Sequence, residues 1–147
     1  MTYLRQPSNR GVCGQTCVAM IADVSLDDAI KASGETGGTQ ATHIIKAFNK
    51  LGVKCDQKLT RIKKNGRKPN LCMVVLHLED GEKHWTIFTR VENKLEVYID
   101  PVAGILSGYR EGIRETSYLQ IHGKDLTLDE FKRVYYEAKY HTEVGTI

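Results

Sequence analysis

The sequence predicts an α+β fold, in which helices from the first third of the chain pack in one layer against an antiparallel sheet. Two observations lead to this prediction. The chain begins with short apolar segments of helical periodicity, separated by glycine-rich loops. From residue 72 onward it changes to apolar runs of strand length, joined by short polar turns. Short connections between successive strands favour an antiparallel meander over a parallel sheet.

The size and composition of the chain suit one domain with one core, which we expect to span residues 1–147. Hydrophobic residues make up 41% and charged residues 27%, as in an ordinary globular protein, and the formal net charge of +3 does not by itself indicate nucleic-acid binding. No apolar run approaches a membrane span, and the first residues lack the apolar core of a signal peptide. We therefore expect a cytoplasmic protein, or an effector that is delivered without a cleaved signal peptide.

The four cysteines, Cys13, Cys17, Cys55 and Cys72, do not follow a common metal or disulfide pattern. Only the first two lie close together, whereas a structural zinc site draws paired ligands from two segments. A chain of this size does not need disulfides, and the sequence points to no oxidising compartment. The sequence therefore predicts no metal site and gives no reason to expect another cofactor.

Three helices are expected before the sheet. The compact apolar run at residues 13–21 predicts a buried helix. Ser25, with a carboxylate at Asp28, has the spacing of an N-cap for a second, short helix. Thr39 is the expected N-cap of a third helix, which Gly52 ends.

The strands are expected in the second half of the chain. The charged segment at residues 53–62 predicts an exposed or edge strand. Three apolar runs with short turns then predict a meander, at residues 72–78, 84–91 and 95–99. Residues 117–121 could form a further strand, and Thr127 is a suitable cap for a closing helix.

Cys13 lies where a polar segment meets the first predicted helix. Unpaired backbone N–H groups and the helix dipole converge at a helix N-terminus and favour a negative charge. A thiolate is such a charge, so this position can make a cysteine nucleophilic near neutral pH. The alternative is a small buried cysteine that only packs in the core.

A cysteine nucleophile needs a base and a group that orients the base. His84 begins one predicted strand and Asp100 ends the next, nine residues before and seven residues after the turn centre near Asn93. This count places the two side chains close to cross-strand register. Gln6, seven residues before Cys13, has an amide that could join the Cys13 N–H in holding an oxyanion.

These residues, in this order, resemble the bacteriocin-processing cysteine peptidases, which are the double-glycine leader peptidases of the papain-like superfamily. The resemblance covers roughly residues 4–105 and rests on Gln6, Cys13-Gly14, Ala19-Met20-Ile21, His84-Trp85 and Asp100-Pro101. It implies a papain-like fold whose N-terminal helices carry the nucleophile. It also implies Cys13 as nucleophile, His84 as general base and acid, Asp100 as orienting carboxylate and Gln6 as oxyanion donor. The implied activity is hydrolysis of a peptide or isopeptide bond in a peptide or protein substrate, through a thioester.

Two other functions remain open at this point. The same residues could serve an amidase, a deamidase or a transglutaminase-like effector. Alternatively, the domain could be a catalytically inactive binding module that uses a basic hairpin to hold an acidic partner. No aromatic residue interleaves this basic run, so nucleic acid is not the expected partner. The basic residues are Lys58, Arg61, Lys63, Lys64, Arg67 and Lys68.

Overall fold

The computed structural model describes residues 1–8 and 10–145, with side chains as far as residue 140. This part of the chain contains four helices, α1 (Cys13–Ala22), α2 (Leu26–Ser33), α3 (Ala41–Lys50) and α4 (Leu128–Gly145). It also contains six strands, β1 (Thr60–Arg61), β2 (Leu71–His77), β3 (Lys83–Val91), β4 (Leu95–Asp100), β5 (Gly104–Leu106) and β6 (Arg114–Gln120). No helix within the described ranges combines the length and the apolar character needed to cross a bilayer.

The six strands form one antiparallel sheet in the order β1-β6-β2-β3-β4-β5. The strands β2, β3 and β4 are the predicted meander, so the α+β prediction is confirmed. The strand β5 was not predicted, since three residues containing a glycine carry no periodic signal.

The sheet separates two apolar clusters, because successive side chains on a strand point to opposite faces. One face packs with the helices and carries Met73, Val75, Ile87 and Ile99. The opposite face carries Cys72, Val74, Leu76, Phe88 and Tyr98. Partly buried side chains from the connecting segments pack on this second face, among them Ile62, Tyr109 and Ile113.

The first three helices end and begin much as predicted. The helix α1 stops at Asp23, which adopts a left-handed conformation, and the Ser25 hydroxyl accepts the Asp28 N–H at 3.1 Å as the cap of α2. The N-cap of α3 is Gln40, so the prediction of Thr39 is wrong by one residue. Thr39 instead packs against α1 and β3, where its carbonyl accepts the indole N–H of Trp85 at 3.3 Å.

The predicted strand at residues 53–62 is wrong in length. Only Thr60 and Arg61 form a strand, and Cys55 contributes a single bridge to Ile121. The strand is an edge strand, as its charges predicted. Both β1 and β2 pair with β6, so the basic segment between them is not a hairpin.

Candidate active site

Cys13 is the first residue of α1 and lies half-exposed in an open cleft of about 700 Å³. Residues 38–40 line one side of this cleft, and the turn between β2 and β3 lines the other. The loop that carries residues 38–40 is fastened to α1 by Gln15, a buried side chain whose Nε2 donates to the Glu35 carbonyl at 2.9 Å and the Gly37 carbonyl at 2.7 Å. Gln15 was not predicted from the sequence, because a polar residue inside an apolar helix has no distinctive spacing.

Steric crowding explains why a glycine, Gly14, follows Cys13. A Cβ at Gly14 would lie 2.9 Å from Ile44 Cδ1 and 3.0 Å from Trp85 Cδ1, and it would overlap the Thr39 hydroxyl. Only glycine therefore allows α1 to approach the sheet this closely at its first turn. The close approach brings the Trp85 backbone N–H within 3.5 Å of the Cys13 sulfur, to which it donates.

His84 connects Cys13 with Asp100. The His84 Nε2 lies 3.0 Å from Asp100 Oδ2 and 3.2 Å from Oδ1, and the Cys13 thiol is close enough to raise the pKa of the imidazole. Since Ile87 lies opposite Ile99, His84 and Asp100 are diagonal neighbours on adjacent strands. This agrees with the register counted from the turn in the sequence. With Nε2 engaged by the carboxylate, Nδ1 is the ring nitrogen that remains for the thiol.

Asp100 is held by further donors. Its Oδ1 accepts the backbone N–H groups of Val102 at 2.8 Å and Ala103 at 3.0 Å. Its Oδ2 lies 2.6 Å from the Tyr109 hydroxyl, which lies 2.8 Å from the Thr86 hydroxyl. An ionised carboxylate only accepts hydrogen bonds, so Tyr109 donates to Asp100 and Thr86 donates to Tyr109.

These contacts keep Asp100 ionised although its side chain is only 3% exposed. Burial by itself would raise the pKa of Asp100, but the hydrogen bond and charge of His84, together with the Tyr109 and Ala103 donors, lower it. Tyr109 and Thr86 were not predicted from the sequence. Thr86 could have been found from its strand register with Asp100, whereas Tyr109 lies in an irregular loop with no spacing signal.

The same contacts favour the protonated form of His84. Burial would lower the pKa of His84, but hydrogen bonds and charge interactions with Asp100 and Cys13 raise it to about 10. The imidazole is therefore held as an imidazolium at neutral pH. An imidazolium beside a thiol is the arrangement that stabilises a thiolate.

The raised pKa of His84 predicts a pH-dependent contribution to stability. Because the folded-state pKa of about 10 exceeds the ordinary value of 6.5, this contribution is complete below pH 6.5 and is lost as the pH rises through 10. We expect the difference in Tm between the wild type and His84→Gln to be largest near pH 6.5 and to shrink as the pH approaches 10. Thermal unfolding over this range measures it, with His122→Gln as the control because His122 is an exposed histidine. A Tm difference that grows with pH would contradict the prediction.

Gln6 joins the same cleft from the N-terminal segment. Its backbone N–H donates to the Pro101 carbonyl at 2.7 Å, which fixes it next to Asp100. Its side-chain Oε1 is buried without a hydrogen-bond partner among the described residues. Of the four residues singled out in the sequence, Gln6, Cys13 and His84 thus line the cleft, and Asp100 lies buried beside His84.

The other three cysteines are buried. The Cys17 thiol donates to the Trp85 carbonyl at 3.7 Å, and burial raises its pKa well above the ordinary value. Burial also raises the pKa of Cys55, and it raises the pKa of Cys72 to about 12. Cys13 is therefore the one cysteine that is accessible, and it shares the cleft with His84.

A solved structure with a similar fold is described as the crystal structure of a double glycine motif protease from an AMS/PCAT transporter in complex with the leader peptide. It aligns with a TM-score of 0.54 and 20% sequence identity, over 82% of this chain and 91% of that chain. No curated protein matches the sequence. The likeness shows that this chain shares the papain-like α+β fold of that structure.

The family model of the Peptidase C39 family matches residues 2–116. The chain therefore belongs to the Peptidase C39 family and is a cysteine peptidase. The match includes the cleft and every residue that hydrogen-bonds Asp100. It ends inside β6 and leaves α4 outside.

Proposed function

We propose that the protein hydrolyses a peptide or isopeptide bond through Cys13, His84 and Asp100. The observation that carries this proposal is the accessible Cys13 thiol, which shares the cleft with His84, whose imidazole is hydrogen-bonded to the buried Asp100. A buried carboxylate behind an imidazole and an exposed thiol in front of it are the arrangement that nucleophilic acyl transfer requires.

The proposed reaction has two halves. The Cys13 thiolate attacks the carbonyl carbon of the scissile bond, and the His84 imidazolium gives its Nδ1 proton to the departing amine, which leaves a thioester on Cys13. Neutral His84 then takes a proton from water while the water oxygen attacks the thioester carbonyl. The acid product leaves, and the thiolate and imidazolium are restored. Asp100 keeps Nε2 engaged throughout and so keeps Nδ1 turned towards the reacting atoms.

The negative charge that develops on the carbonyl oxygen needs donors. The Cys13 backbone N–H is one candidate, since it lies in the first turn of α1 and has no acceptor within the helix. The side-chain NH₂ group of Gln6 is the other candidate donor, because Gln6 lines the same cleft.

Replacing Gln6 by alanine should lower kcat by about 10²–10³, the usual loss when one oxyanion donor is removed. The Tm should change little, because the Gln6 amide oxygen forms no hydrogen bond in the described structure. Steady-state kinetics and thermal unfolding measure the two effects. Gln6→Glu is the informative second variant, since it keeps the shape but opposes the developing charge. Wild-type kcat in Gln6→Ala would remove Gln6 from the proposed site.

The substrates to test first are peptides that contain two consecutive glycines. This choice is supported by the family and by the similar structure, which holds a leader peptide and belongs to a double glycine motif protease. Incubation with such peptides, followed by mass spectrometry and an ammonia assay, separates the possible reactions. We expect two shorter peptides and no ammonia. Ammonia with an uncut chain would indicate a deamidase or amidase, and peptide binding without any product would indicate an inactive binding module.

A further inference from the structure

A line of basic and titratable side chains leaves the cleft and crosses the sheet. Lys83 lines the cleft and lies directly opposite His77 on β2, which lies directly opposite Arg114 on β6. Directly opposed residues of neighbouring strands point to the same face, and neighbouring strands are about 4.8 Å apart. Lys83 and Arg114 are exposed and His77 is half-buried, so the line lies at the surface.

The line continues to the edge of the sheet. Ile62 donates its backbone N–H to the Thr116 carbonyl at 3.0 Å, so Lys63 follows at the level where β6 begins. Arg61 lies opposite Ser117, and Ser117 lies opposite Val75 on the helix-packed face, so Arg61 shares the face of Lys83, His77 and Arg114. We call Lys83, Arg114, Lys63 and Arg61 the cationic track.

The charges of the cationic track are not neutralised within the described structure, where none of the ion pairs includes a member of the track. Lys68 differs, since its Nζ lies 3.0 Å from Glu115 and 4.7 Å from the centre of the Phe88 ring. Glu115 is occupied by Lys68 and by the Tyr98 hydroxyl, and Glu79 by Arg110, so the carboxylates at the cleft end that form no ion pair with a described residue are those of Asp80 and Glu82. Like charges gathered without counter-ions repel one another, and an anionic ligand relieves that repulsion.

We propose that the cationic track docks an acidic segment of the peptide substrate, an inference that rests on the proposed peptidase function. The track begins inside the cleft that holds Cys13 and ends three strands away, on β1. Three strand spacings are about 14 Å, which an extended peptide covers with about four or five residues. Acidic residues at that distance from the scissile bond would meet the track while the bond lies at Cys13.

Binding to the full-length Cys13→Ala variant tests the proposal without turnover. The probes are fluorescent Gly-Gly peptides of equal length that carry either glutamates or glutamines about four or five residues to one side or the other of the glycines. The track variant adds Arg61→Gln, Lys63→Gln and Arg114→Gln. The control variant adds Lys31→Gln, Lys50→Gln and Lys132→Gln, which remove the same charge from exposed positions on the helices.

We expect the glutamate peptide to bind about tenfold more tightly than the glutamine peptide in the parent and the control, from several exposed ion pairs acting together. The track variant should lose this preference, and added salt should weaken it. Equal binding of the two peptides, equal losses in track and control variants, or tighter binding of a single-stranded oligonucleotide would overturn the proposal.

The results that would contradict the proposed peptidase function differ from those that would contradict the role of the cationic track. If the wild type cleaves none of the peptides while Cys13→Ala keeps the preference for glutamate, the peptidase proposal is wrong and the cationic track still binds acidic peptides. If the wild type cleaves both peptides with equal kcat/KM and the variants bind them equally, the peptidase proposal stands and the proposed docking on the cationic track is wrong.

Discussion

Replacing Cys13 by alanine is expected to reduce kcat by about 10⁶, the scale of loss when the nucleophile of a hydrolase triad is removed. No other cysteine can take its place, because Cys17 and Cys72 are 0% exposed and Cys55 is 9% exposed. The backbone should be unaffected, since alanine is a good helix former and α1 begins at this position. Peptide cleavage followed by mass spectrometry measures the loss.

Covalent labelling gives an independent readout of the same substitution. A thiol-directed electrophile such as iodoacetamide should add once to the native wild type and not at all to native Cys13→Ala. Cys55→Ala is the matched control and should still be labelled once, because it removes a buried thiol. Equal labelling of the wild type and Cys13→Ala would show that Cys13 is not the reactive thiol.

Replacing Asp100 by asparagine is expected to have the second largest effect, a loss in kcat on the order of 10⁴, as when the carboxylate of a catalytic triad becomes an amide. The carboxylate accepts from Val102 and Ala103 through Oδ1, and from Tyr109 and His84 through Oδ2. An amide has a donor group in place of one of these oxygens, so either orientation sets donor against donor. The imidazole then loses its anionic partner and its preferred orientation.

The Asp100→Asn variant should also change how His84 titrates. Without the carboxylate, the pKa of His84 should fall from about 10 towards its ordinary value of 6.5. NMR titration of the imidazole measures this shift, and thermal unfolding separates it from a general loss of folding. Asp125→Asn, an exposed substitution, should leave both activity and titration unchanged. An unshifted His84 pKa in Asp100→Asn would mean that Asp100 does not set the protonation of the imidazole.

Local patterns in the sequence were sufficient to predict much of the fold. The N-cap at Ser25 and the meander from β2 to β4 depend on residues close together in the chain, and both were predicted. The neighbourhood of His84 and Asp100 also followed from a local property, the length of the turn between their strands. Cys13 was identified because a helix N-terminus is itself a local feature.

The remaining parts depend on contacts between distant segments. The extent of β1 is decided by β6, which pairs with only two consecutive residues of the segment predicted as a strand. The path from Lys83 to Arg114 exists because β6 enters the sheet beside β2, and no spacing in the sequence shows this. Tyr109 reaches Asp100 from an irregular loop whose course is set by packing on the sheet face opposite the helices.

Residues far apart in the chain meet at the cleft, and this has a consequence for how activity appears during folding. The Tyr3 hydroxyl donates to the Asp100 carbonyl across 97 positions, and the Trp85 N–H donates to the Cys13 sulfur across 72. Closing such long loops is entropically costly, so these contacts form together with the rest of the sheet rather than ahead of it. A nascent chain that has not yet reached Tyr109 lacks a donor to Asp100 and has no complete site. Recovery of peptidase activity is therefore a stricter measure of refolding than recovery of helix content, since α1 can re-form without its distant partners.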